Sequence, residues 1–74
     1  MESKAREILE AAKWHLEKSI YWFDQAQDDE ECWQWYESRS HDDKARGLLE
    51  AYHILTGETV NANIISIRSE LACL

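Results

Sequence analysis

The chain has 74 residues, 45% of them apolar, with no proline, two glycines and a formal net charge of −7. One small domain fits that length, and the apolar share is too high for a disordered segment. The charge excludes binding to a bare nucleic-acid backbone or an anionic membrane, both of which need a cationic surface, and leaves a basic protein surface as the natural target.

Sheets need more turn residues than this chain carries. The scarcity of Gly and Pro therefore predicts an all-α fold, a compact bundle of three to four helices over about residues 4–27, 29–38, 41–56 and 60–72 in a single domain, 1–74. No apolar run reaches the roughly 18 residues of a membrane span. The charged opening from Met1 to Arg6 does not read as a signal peptide, so the cytoplasm is the expected location. Cys32 and Cys73 form no metal-binding or redox spacing, and both are expected as small buried hydrophobes.

Ser3 is positioned to cap the first predicted helix. From there Ala5, Ile8, Leu9, Ala12, Leu16, Ile20, Phe23 and Ala26 step by three and four along one face. Ser19 shares that face and is small enough for close packing. Trp14 and Tyr21 lie on the opposite side, seven residues apart and in line. Trp22 and His15 sit on the border. An exposed Trp/Tyr pair points to an interface.

The segment Trp14 to Tyr36 holds every aromatic residue but Tyr52, and no Lys or Arg falls between Ser19 and Ser38. Its acids include Asp24 and the run Asp28 to Glu31. That run is expected to open a second short helix, where negative charge meets the positive end of the helix dipole. Cys32, Trp33 and Tyr36 would share one side of it, with Trp35 pointing away. After Tyr36 the apolar face jumps. A break at Ser38 to His41 accounts for the jump, and Ser40 with Asp43 supplies a start signal. The alternative is one long helix with two faces.

The third predicted helix presents Ala45, Leu48, Leu49, Tyr52 and Leu55, and Gly57 is its stop. Gly47, inside it, could admit a close neighbour. In the last segment Val60, Ile64, Ile67, Leu71 and Leu74 follow heptad spacing, with Ile65 and Ala72 widening the stripe. Val60 to Ile64 also alternates like a strand. This helix could cover the others or pair with its own copy, so Ile64, Ile67 and Leu71 are the candidate oligomer interface of a homo-oligomer, a dimer or higher.

Candidate chemistry is sparse. Glu50 and His53 form a single E-x-x-H, which reads as a solvated face because metal sites of that kind draw ligands from several helices. Glu7 with Glu10, and Asp28 with Glu31, are carboxylates one turn apart. They resemble the Mg²⁺-holding pairs of MazG-type nucleotide pyrophosphohydrolases, although the second pair here falls at a helix start. No nucleophile elbow, Gly-rich loop or P-loop is present. Ser38, Arg39, Ser40, Lys44 and Arg46 gather around the expected start of the third helix, where free N–H groups could hold a phosphate and Trp33 or Trp35 could stack a base. A ligand-sequestering oligomer would use Trp33, Arg39, Ser40, Lys44 and Arg46. Against it, Asp42 and Asp43 already satisfy that helix end.

The run Lys44-Ala45-Arg46-Gly47-Leu48-Leu49-Glu50-Ala51-Tyr52-His53-Ile54-Leu55-Thr56-Gly57 resembles stretches in small all-helical orphan proteins of bacteriophages and prophages. The resemblance implies an accessory protein that acts on a host target by binding, for example an inhibitor of a bacterial defence system. No functional residues carry over with it. The expectation is therefore a non-enzymatic protein without cofactor or metal. Trp14, Tyr21, Trp22, Asp24, Asp28 and Trp35 are its candidate contacts for a host protein with a basic surface.

Overall fold

A computed structural model describes the backbone from Glu2 to Cys73 and the side chains from Lys4 to Cys73. Three helices form: α1 (Glu2–Ala26), α2 (Trp33–Thr56) and α3 (Val60–Ala72). No strand occurs among the described residues. Ser3 lies within α1 rather than before it. Its side chain, and Leu74 at the end of the heptad stripe, lie outside the described residues.

α1 and α2 form an antiparallel hairpin whose register is set by contacts at matching heights. Ser38 Oγ donates to the Ser19 carbonyl at 2.7 Å and lies 3.3 Å from Ser19 Oγ. One turn along, His15 Nδ1 meets His41 Nδ1 at 2.9 Å. Beyond them Ala12 and Ala45 are fully buried, their small side chains letting the two backbones approach.

The hairpin turn corrects one expectation. Gln27 and Asp28 are left-handed, with φ of 50° and 67°, which ends α1 because a helix cannot continue through such residues. Asp29 then accepts the Glu31 N–H on Oδ1 at 2.9 Å. Asp28 to Glu31 thus build the turn instead of opening a helix, and α2 starts later, at Trp33, with no acid in its first turn.

The expected break at Ser38 to His41 is absent, and Ser40 and Asp43 lie inside an unbroken α2. The inward face runs Trp35, Ser38, Asp42, Ala45, Leu49 at steps of three and four. Polar side chains occupy the middle of that face, so it looks interrupted when only apolar residues are followed. Ser38 can stand there because its hydroxyl is satisfied across the seam. The same register reverses the aromatic assignment. Trp35 turns inward and is half-buried, whereas Trp33 and Tyr36 are exposed.

At its far end α2 stops at Gly57, left-handed at φ 81°, whose N–H reaches the His53 carbonyl at 2.7 Å. Thr59 caps α3, its hydroxyl accepting the Ala62 N–H at 3.2 Å. Asn63 Nδ2 donates to the Thr59 carbonyl at 3.2 Å. These bonds resolve the Val60 to Ile64 ambiguity in favour of helix.

α3 folds back along the hairpin. Lys13 pairs with Glu70, and Arg68 Nη2 lies 3.7 Å from Asp42. The core joins Ala12, Leu16, Ala45, Leu49, Ile64 and Ile67, flanked by Leu9, Leu48, Val60 and Leu71. Ile64 and Ile67 therefore spend their apolar surface inside the subunit, worth roughly 1.5–3 kcal/mol each. This corrects their assignment to an oligomer interface. Leu71 is half-buried beside them, and Ile65 is the exposed isoleucine of that helix. Leu55 is exposed, and so is Cys73, which is not the buried hydrophobe expected. Nothing lies within 4 Å of where a Gly47 side chain would begin, so no close neighbour requires that glycine.

The length of α3 shapes everything outside the core. Its 13 residues span about 20 Å, against about 37 Å for the 25 residues of α1. Half of the hairpin is left without a third layer.

Candidate partner-binding surfaces

The helical period carries Trp14, Lys18 and Tyr21 onto the outer side of α1, and their side chains link into a strip. Lys18 Nζ sits 5.4 Å from the Trp14 ring centre and 5.9 Å from that of Tyr21, within cation–π range of both. Tyr21 meets Trp22 edge-on at 5.0 Å, and Trp22 meets Trp33 at 5.0 Å across the hairpin. At the other end Trp14 contacts the edges of His15 at 5.0 Å and His41 at 5.7 Å. Trp14 is 50% exposed, Tyr21 51% and Trp33 59%. Asp24 and the Asp28 to Glu31 turn lie exposed around the Trp22 and Trp33 end.

Of the residues expected to contact a partner, Trp14, Tyr21 and Trp22 are contiguous, with Asp24 and Asp28 at one end. Trp35 is not among them. It belongs to a second surface, on the side of the hairpin that α3 leaves open. There Ile20, Phe23 and Trp35 form the apolar floor of a groove of about 610 Å³, bounded toward α3 by Arg39, Asp42 and Arg68. Phe23 is 53% exposed and Ile20 40%. Their place on the stripe of α1 predicted burial, but α3 ends before reaching them. The clue available from sequence was the ratio of helix lengths.

The alternative ligand cluster is dispersed. Its phosphate site required a helix start near Ser40, and none exists there because α2 is continuous. Arg46 Nε is bound to Asp42 at 2.8 Å. Arg39 stacks on Trp35, its guanidinium carbon 5.1 Å from the ring centre, while Trp33 is taken by the strip. Ser40 and Lys44 lie one turn apart on a different side of α2 from Arg39.

His15 and His41 form a pair that no sequence spacing announces, since only the hairpin register brings them together. Burial pushes the His15 imidazole below its ordinary range, and the neighbouring His41 and Lys44 push in the same direction. Glu37 lies 3.7 Å from His41 Nε2. Elsewhere Glu7 pairs with Lys4 at 3.6 Å, and His53 Nδ1 lies 3.0 Å from the Glu58 carbonyl. Among the described residues no three His, Cys, Asp or Glu side chains converge as metal ligands. No helix of the described residues is long and apolar enough to cross a membrane.

Fold and surfaces together define a three-helix all-α protein with an exposed aromatic strip on one side and an open apolar groove on another. No protein-family model, curated protein or solved structure matches this chain.

Proposed function

We propose that this protein acts by stoichiometric binding of another protein, not by catalysis, with the Trp14–Lys18–Tyr21–Trp22–Trp33 strip as the contact. The observation that carries this reading is the continuity of the strip. Trp14, Tyr21 and Trp33 remain about half exposed, and the more buried Trp22 joins Tyr21 to Trp33; Trp and Tyr grouped in this way have the composition of binding hot spots. The acids at its end, Asp24 and Asp28 to Glu31, favour a partner with a basic surface and would speed its approach. The resemblance of Lys44 to Gly57 to phage orphan proteins sets this in the cytoplasm of an infected bacterium, as an accessory protein that occupies a host protein such as a component of a defence system.

The test is capture from bacterial lysate by the parent protein and by a Trp14→Ala/Tyr21→Ala variant, read by mass spectrometry. A hot-spot loss of at least ~2 kcal/mol weakens binding about thirtyfold. One host protein should therefore be captured by the parent, lost with the variant and weakened by salt. Equal capture by both proteins would refute the strip as the contact.

A further inference from the structure

The groove lies on a different side of the hairpin from the strip, and its charge is arranged end to end. Toward α3 stand Arg39 and Arg68. Arg68 is already paired with Asp42, whereas Arg39 has no carboxylate partner among the described residues and stacks on Trp35. At the other end is the hairpin tip, with Asp28, Asp29, Glu30 and Glu31 in succession. In a chain of net charge −7, an unpaired arginine on an apolar groove calls for an anionic partner, and this protein carries one of its own.

We propose that the groove is the self-association face of this protein. Two copies pack antiparallel about a two-fold axis at the level of Phe23, and the acidic tip of each copy lies on Arg39 of the other. The heights agree. The Ser19–Ser38 contact places Arg39 level with Lys18. Lys18 stands five residues, about 7.5 Å, to one side of Phe23, and on the other side α1 ends at Ala26, three residues or about 4.5 Å away, with the acidic turn beyond it. A two-fold axis through Phe23 therefore superposes one tip on the other copy's Arg39 and brings the two Phe23 rings together, as an isologous interface requires.

α3 leaves room for this arrangement. Its end is tied to Lys13, ten residues or about 15 Å from Phe23, so the incoming tip stops short of it. The two open half-hairpins then form a four-helix layer over Ile20, Phe23 and Trp35, covering the apolar floor that α3 does not reach. A parallel arrangement would instead set tip against tip and arginine against arginine.

The experiment is sedimentation velocity of the full chain over about 1–100 μM, a range that reports micromolar dimers. The parent should pass from monomer to dimer across it. Phe23→Lys should stay monomeric while keeping its helical circular dichroism, since the ring is half exposed. Arg39→Glu, at an exposed position, should weaken the dimer about tenfold or more by setting like charges together. Adding Glu30→Lys/Glu31→Lys to Arg39→Glu should restore it. In a Cys32→Ser/Cys73→Ser background, Phe23→Cys should form a disulfide-linked dimer on oxidation, and Tyr36→Cys should not.

A parent that stays monomeric throughout overturns the proposal, as does association unchanged by both Phe23→Lys and Arg39→Glu. Native mass spectrometry that finds monomers retaining a small anion, lost with Arg39→Glu, also overturns it by making the groove a ligand site. The deciding readouts are the self-association of the purified chain and its response at Phe23 and Arg39, both outside the strip, so they stand or fall separately from capture of a host protein, although Glu30 and Glu31 take part in both.

Discussion

Truncating Leu16 and Trp14, two residues apart on α1, should separate its buried side from its binding side. Leu16 is buried among Ala12, Ala45, Leu49, Ile64 and Ile67. Leu16→Ala leaves a sealed cavity between three helices and should cost about 3 kcal/mol. A domain of this size holds roughly 4–11 kcal/mol in all, and each kcal/mol moves Tm by about 4–8 °C, so a fall of roughly 12–24 °C is expected. Trp14 has half of its surface covered, about 125 Å² of a side chain that can bury ~250 Å². At ~25 cal/mol/Å² that contact is worth at most about 3 kcal/mol. Its removal opens no sealed cavity, because the site faces solvent and the His15, His41 and Lys18 side chains can settle into it. Trp14→Ala should therefore cost about 1–2 kcal/mol, a Tm fall of roughly 4–16 °C. The assay is thermal melting followed by circular dichroism at several protein concentrations. If Trp14→Ala lowers Tm as far as Leu16→Ala at every concentration, the strip is part of the fold. If the loss grows with protein concentration, a second copy covers the strip in the parent. Either result refutes the strip as a free contact surface.

The remaining predictions concern the His pair and the glycines. Because His15 is held below its ordinary value near 6.5, the unfolded chain binds this proton first as the solution is acidified. Stability from this site is therefore fully present above pH ~6.5 and is lost as pH falls from there through the lowered folded value. Melting of His15→Gln between about pH 8 and 5 should be flatter than that of the parent, and parallel curves would remove His15 as the cause. Gly47→Ala, with open space around the added methyl group, should stabilise α2 by about 0.5–1 kcal/mol in chemical denaturation. Gly57→Ala, at φ 81°, should destabilise by about 1–2 kcal/mol in the same assay.

Helical class, the reach of α1 and α3, and the stop at Gly57 were legible in the residues because each depends on local spacing and local backbone preference. So was the outward placement of Trp14 and Tyr21, which follows from the period of a single helix. The continuity of α2 was not legible. Ser38, His41 and Asp42 fall on its inward face, and nothing short of the opposite helix tells a buried, hydrogen-bonded serine from a helix-breaking one. The inward turn of Trp35 and the outward turn of Trp33 and Tyr36 depend on the opposite helix in the same way.

The residues by themselves thus determined that the chain is helical, where α2 stops at Gly57, and that bulky aromatics and uncompensated acids share one stretch of chain. Tertiary structure decided what those residues face. The hairpin register joined His15 to His41 and Trp22 to Trp33, and the acidic run became a turn once α1 ended in two left-handed residues. α3, at about half the length of the hairpin, buried Ile64 and Ile67 but left Phe23 and Ile20 open beside Arg39. Periodicity assigns a side chain to a face of its own helix, whereas burial depends on whether another element is long enough to cover that face.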